Sequence, residues 1–145
     1  MLGERPQQGQ GTGLSGRRAM TYATPAGASA EAIIDRFIAA WNRHDLPAAV
    51  AMTSTNCVYE AAVPRPGGER SIGHTELEAA WKPIFDDPSS HLTVEEMFTT
   101  GESFTAGTRI VQRWRFDWSE GQVRGVDLLT VRDGLITEKL AYVKA

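Results

Sequence analysis

The pattern of the chain predicts an α+β domain, with helices first and an antiparallel sheet after them. Three observations carry this. Residues 29–41 repeat apolar side chains at helical spacing: Ile33, Ile34, Phe37, Ile38, Ala40 and Trp41. From residue 92 onward the pattern changes to long strand-like runs. Those runs are separated by short turn signals, Ser119-Glu120-Gly121 and Arg132-Asp133-Gly134, which suit hairpins.

Each element has its own local reason. Ser29 is a candidate N-cap, and Glu31 lies in the first turn, where its charge suits the helix dipole. Asn42-Arg43-His44-Asp45 ends the first helix, with His44 at the end that favours a cation. Asp45 can cap a short second helix carrying Leu46, Ala48, Ala49, Val50 and Met52, with Pro47 near its start. A strand is expected over 57–63 and a loop over 64–68. His74 or Thr75 opens a third helix through Leu77, Trp81, Ile84 and Phe85. Strands follow over 92–99, 108–118, 122–131 and 135–143.

Composition removes several functional classes. The chain has 145 residues, 41% of them apolar, which suits one soluble domain. Cys57 is the sole cysteine, so no internal disulfide can form. Nothing adjoining it in sequence is cationic, so an inert thiol is expected. With 15 Lys+Arg against 18 Asp+Glu, the net charge is −3, which argues against a nucleic-acid partner. No apolar run is long enough to cross a membrane. His44, His74 and His91 show no metal-ligand spacing, and no Gly-rich phosphate loop is present, so no metal or cofactor is expected.

Residues 1–28 read as a disordered extension, with the folded domain over 29–145. The run Gly-Gln-Gly-Thr-Gly-Leu-Ser-Gly at 9–16 has almost nothing to bury. Met20 is a candidate natural start. Arg17-Arg18 suggests an export signal, but no apolar stretch follows it, so a cytoplasmic protein is expected.

The strand over 108–118 is the most informative. One parity holds Ile110, Gln112, Trp114, Phe116 and Trp118, expected on a buried concave face. The other holds Arg109, Val111, Arg113, Arg115 and Asp117. The last strand is apolar on both parities, with Leu135, Ala141 and Val143 against Ile136, Leu140 and Tyr142. That predicts a homodimer through the outer sheet face.

Asp127 lies in an apolar run, Val126-Asp127-Leu128-Leu129. A buried carboxyl is a candidate general acid or base. It is equally a candidate for a structural ion pair. A three-residue final hairpin loop would set Lys139 across from it on the same face. A two-residue loop would set Leu140 there and remove Lys139. Tyr59, His74 and Gln112 are candidate hydrogen-bonding partners for a ligand.

This order of elements resembles the nuclear transport factor two-like, cystatin-like cone, in its SnoaL-like branch. The resemblance covers roughly residues 29–145. It rests on Arg36-Phe37-Ile38-Ala39-Ala40-Trp41, His44-Asp45-Leu46, Ile72-Gly73-His74, Gly125-Val126-Asp127-Leu128, Arg132-Asp133-Gly134-Leu135-Ile136 and Tyr142. It implies a curled sheet around a cavity lined by Phe37, Trp41, Tyr59, Ala61, Ala80, Trp114, Phe116 and Asp127, with Trp81 a further candidate for substrate contact. The ligand would be a small apolar molecule, with Lys139 beside it if the hairpin allows.

The branch's chemistries match unequally. Ketosteroid isomerases need an Asp base where this chain has Ala61 and a Tyr where it has Phe37; only their acidic oxyanion donor matches, at Asp127. Epoxide hydrolases use Asp-Arg-Asp. Here Arg115-x-Asp117 lies on the opposite parity from the cavity residues, and the third acid would fall near Ala141. Polyketide cyclases of the SnoaL type use one pocket Asp, which Asp127 matches. The resemblance therefore implies cofactor-free proton transfer on an apolar carbonyl compound, by an isomerase or cyclase. The alternative is a ligand- or partner-binding dimer without chemistry.

Overall fold

The computed structural model describes residues 29–103 and 107–144. The expectation for 1–28 lies outside the described residues. Helix α1 (Ala30–Asn42) starts where Ser29 caps it, its Oγ accepting the Ala32 N–H at 3.1 Å. Its apolar stripe, Ile33, Ile34, Phe37, Ala40 and Trp41, is buried. His44 follows with φ 59°, and its Nε2 lies 2.9 Å from the Ser90 carbonyl oxygen. Asp45 Oδ1 then caps helix α2 (Leu46–Ala51) through the Ala48 N–H.

Strand β1 (Thr53–Glu60) starts four residues before the expected 57–63 and stops before Ala61. The chain then turns back into a short strand β2 (Arg70–Ile72), which the sequence pattern did not reveal. Three residues carry too little periodicity to be read; pairing with β1 makes them a strand. Helix α3 (His74–Phe85) begins at His74 and buries Leu77, Trp81 and Phe85.

Four long strands complete the chain: β3 (His91–Ser103), β4 (Gly107–Trp118), β5 (Gly121–Arg132) and β6 (Leu135–Val143). Strand β3 begins close to the expected position and runs further. The strands form one curled sheet in the order β2-β1-β6-β5-β4-β3. Strands β1 and β6 run parallel, and every other neighbouring pair runs antiparallel. The helices cover the inner face. Asn42 clasps the backbone of Leu92 twice, at 2.7 and 2.8 Å, and so ties the end of α1 to the start of β3.

Two expectations about the sheet need correction. The inward parity of β4 is not buried along its whole length: Ile110 and Gln112 are at 0% exposure, Trp114 at 7% and Trp118 at 36%. The helices cover the middle of the strand and leave the β4–β5 turn open. The second correction concerns the last hairpin. Asp133 and Gly134 both have positive φ, 53° and 80°, which makes a two-residue turn with Arg132 paired to Leu135. That turn alone would put Leu140 opposite Asp127. The register shifts, however, from Val131↔Ile136 to Thr130↔Glu138, leaving Thr137 as an extra residue on β6. This β-bulge reverses the parity of everything after it. Lys139 and Ala141 therefore turn inward, and Leu140 and Tyr142 outward. A two-residue loop does not remove Lys139 from the interior after all.

Candidate functional site

The inner face of β4, β5 and β6 carries a polar group inside an aromatic shell. Gln112 pairs with Asp127 across the β4–β5 ladder, and Asp127 pairs with Ala141 across β5–β6. Lys139 faces Leu129, one inward position along from Asp127. Its four-carbon stem spans that diagonal, and Lys139 Nζ donates to Asp127 Oδ2 at 3.0 Å. Gln112 Nε2 donates to the same oxygen at 3.3 Å. The Asp127 and Lys139 side chains are at 1% and 7% exposure. Asp127 Oδ1 and Gln112 Oε1 are buried without a partner.

Aromatic rings surround the ammonium. Lys139 Nζ lies 5.3 Å from the centroids of both Trp41 and Tyr59, within cation–π range. Trp81 packs edge-on to Trp41 at 5.2 Å and to Tyr59 at 5.4 Å, and Phe37 packs at 5.7 Å from both tryptophans. Phe85 extends this shell. Ala61, Ala80 and Phe116 are partly buried against the hydrophobic core. The Trp114 ring lies over Gly125, its cross-strand partner.

Charge and burial oppose one another here. Burial alone pushes the Lys139 pKa down. Burial is the largest single influence, but the touching Asp127 carboxylate together with Tyr59 and Cys57 outweighs it and holds the ammonium above its ordinary value. Lys139 is therefore a cation at neutral pH, and neither a base nor a nucleophile. Burial raises the Tyr59 hydroxyl's pKa, with Lys139 opposing the rise and Asp127 adding to it. Cys57 is fully buried, and burial pushes its thiol up to about 12 against the pull of Lys139. No cation adjoins Cys57 in sequence, yet one does in space. Burial outweighs that cation in setting the thiol.

The structure gathers Asp127, Gln112, Lys139, Tyr59, Trp41, Trp81 and Phe37 into one group. His74 stands apart, its Nε2 3.0 Å from the Thr53 carbonyl oxygen, where it ties the start of α3 to β1. Arg115 and Asp117 pair with each other at 2.9 Å, each about one-third exposed, on the face that their parity indicated. No group of three or more His, Cys, Asp or Glu side chains suited to a metal ion occurs among the described residues. No helix among them is long and apolar enough to cross a membrane.

Residues 34–139 match the family model of the SnoaL-like domain. The chain belongs to the SnoaL-like domain family. Among solved structures, an NTF2-like protein of unknown function from Mesorhizobium loti is 35% identical. The match covers 78% of this chain and 88% of that one, with a TM-score of 0.67. A candidate ketosteroid isomerase from Kribbella flavida shares 18% identity, over 79% of this chain and 76% of its own, with a TM-score of 0.61. A candidate polyketide cyclase from Sinorhizobium meliloti shares 17%, over 75% and 92%, with a TM-score of 0.62. At those identities the last two share the fold. No curated protein sequence is significantly similar to this SnoaL-like domain. The α+β fold expected from the sequence, helices before a curled sheet, is the one these solved structures share.

Proposed function

We propose that this SnoaL-like domain is a cofactor-free enzyme, acting as a cytoplasmic homodimer. It moves a proton on a small, mainly apolar carbonyl compound held in the aromatic interior, with Asp127 as acid/base. One observation carries the reading: Asp127 is anchored at one oxygen and unclaimed at the other. Oδ2 takes both Lys139 and Gln112, while Oδ1 is buried and unpartnered. A purely structural pair gains nothing from a buried oxygen left without a donor. A positioned base requires that arrangement, with one oxygen fixing the carboxylate and the other offered to the proton. Lys139 remains an ammonium and supplies positive charge beside any oxyanion that develops. Tyr59, Trp41, Trp81, Trp114, Phe37 and Phe116 shape the site.

The test is hydrogen–deuterium exchange at carbon next to the carbonyl, followed by proton NMR in heavy water across a panel of enones and polyketide-like ketones. Exchange above the buffer rate in the wild type, lost in Asp127→Asn, supports the proposal. Bound compounds with no exchange above buffer sink it. They leave the second reading, a ligand-binding module without chemistry. That reading is favoured by Ala61 and Phe37, which stand where isomerase relatives carry a base and a tyrosine, and by the Asp127–Lys139 pair itself.

The dimer rests on the outer sheet face. Leu140, Leu128, Val111 and Phe98 form one cross-strand row there, and Phe98 is 49% exposed. Ile72 and Tyr142 are also exposed, at 48% and 55%. Such a row is suited to burial against a second copy. Sedimentation should report a dimer for the wild type and a monomer for Leu128→Arg.

A further inference from the structure

Asp127 has four neighbours on the inner face of the sheet. Gln112 and Ala141 lie across from it on β4 and β6, and Gly125 and Leu129 flank it on β5. Gln112, Gly125 and Leu129 are buried, and Ala141 alone of the four is half-buried. Along the sheet, solvent therefore comes nearest to Asp127 at Ala141, whose side chain is a single methyl.

From Ala141 an apolar strip continues toward the β4–β5 turn. Val143 pairs with Gly125, Phe116 with Val123 and Trp118 with Gly121. Val143, Phe116 and Val123 are half-buried, and Trp118 is exposed. Two glycines keep the strip flat by letting indole rings lie across the ladder. A Cβ on Gly125 would meet Trp114 at 2.5 Å, and one on Gly121 would meet Trp118 at 2.9 Å. The Phe116 and Trp118 rings follow one another at 5.8 Å. The charged residues of this stretch, Arg115, Asp117 and Arg124, have the outer parity. A charged group laid on the strip would lose hydration and meet no counter-charge there.

Resting on the proposed proton transfer at Asp127, we infer that the substrate is elongated. Its carbonyl head reaches Asp127 over Ala141, and an unbranched, uncharged apolar tail lies along Val143, Phe116 and Val123 toward Trp118. Four residues of strand separate the Asp127 rung from the Phe116 rung, a span of roughly 13 Å. A medium-length alkyl chain covers that distance, whereas a compact ketone leaves the strip bare. Ala141 is then the residue that sets access to the acid, and Val123 one that reads the tail.

The experiment measures kcat/KM for deuterium exchange beside the carbonyl in 2-butanone, 2-hexanone, 2-octanone and 2-decanone, with the full chain in heavy water. Proton acidity hardly changes along this series, so a dependence on length reports the tail. The expected result is a gain of about twofold per added methylene, half the gain of full burial because the strip touches one side of the chain. Val123→Asp should flatten the series. Val123→Thr, which keeps the side-chain shape, should lower the slope in part and serves if the aspartate variant does not fold. Ala141→Val should cut exchange for every member, the shortest included. Exchange that does not rise with length would overturn the inference and leave the proton-transfer reading standing. A slope unchanged in both Val123 variants would do the same, placing the tail on another surface and leaving the strip to a second copy of the chain. Undiminished exchange in Ala141→Val would overturn the approach over Ala141. Absence of exchange above buffer with all four ketones would count against the proton-transfer reading and take this inference with it.

Discussion

Glu138 and Lys139 are neighbours on β6, and each forms an ion pair on an opposite face of the same sheet. Glu138 meets Arg109 at 2.9 Å, with the two side chains at 34% and 42% exposure. Lys139 meets Asp127 at 3.0 Å, with the two at 7% and 1%. The lengths are nearly equal, and the energetics are not. Water screens the outer pair, and Thr130 shares it, taking Arg109 Nε and donating to Glu138. The inner pair has exchanged water for aromatic rings, so each partner depends on the other. A surface pair decorates a sheet; a buried pair makes a polar site whose remaining lone pairs must be matched by something else.

Removing one partner of the inner pair should have the largest effect. Lys139→Met leaves the Asp127 charge buried and unpaired, and should cost about 3–5 kcal/mol in denaturant unfolding. The double variant Lys139→Met with Asp127→Leu should recover most of that loss, because two apolar groups need no counter-charge. A double variant no more stable than Lys139→Met would contradict the account.

Alkaline pH probes the same interior. Lys139, Tyr59 and Cys57 all titrate higher in the folded chain than unfolded. For each, the folded state holds the proton longer, so stability is full below the unfolded value and falls as pH rises through the folded one. Cys57 sets the onset, between its ordinary value of 9.0 and about 12. Each unit of that window corresponds to about 1.4 kcal/mol. Unfolding free energies measured across it should decline steadily, and Cys57→Ala should flatten the early part of the decline.

Close packing gives a smaller effect. A Cβ on Gly125 would lie 2.5 Å from Trp114 Cζ2 and closer still to the Tyr142 carbonyl oxygen. Gly125→Ala should therefore destabilise by about 1–3 kcal/mol and shift the Trp fluorescence as Trp114 moves. The smallest effect belongs outside. Glu138→Gln should cost below about 1 kcal/mol, and added salt should shrink the difference.

The inner face of β4 and β5 was legible in the sequence because strand parity is strict. Ile110, Gln112 and Trp114 share a face with Asp127 and Leu129, and no bulge interrupts that pair of strands. The caps at Ser29 and Asp45 were legible for the same reason, being local chemistry within four residues. The position of Lys139 was not. A two-residue turn predicts its removal from the interior, and the bulge at Thr137 reverses this. The pairing of β6 with β1 on one side and β5 on the other sets that bulge, and no short window of sequence contains both. Trp118 shows the same limit, since its parity is inward yet it is 36% exposed.

The α+β order, the helix boundaries near their caps, the apolar faces and the solitary acid in an apolar strand are all written locally in the chain. These follow from periodicity and short-range hydrogen bonding, which act over a few residues. That this acid meets a lysine and that one of its oxygens is left over came only from tertiary packing. Those outcomes depend on which strands become neighbours and where a single extra residue falls in the ladder, because burial makes each hydrogen bond a property of the whole interior.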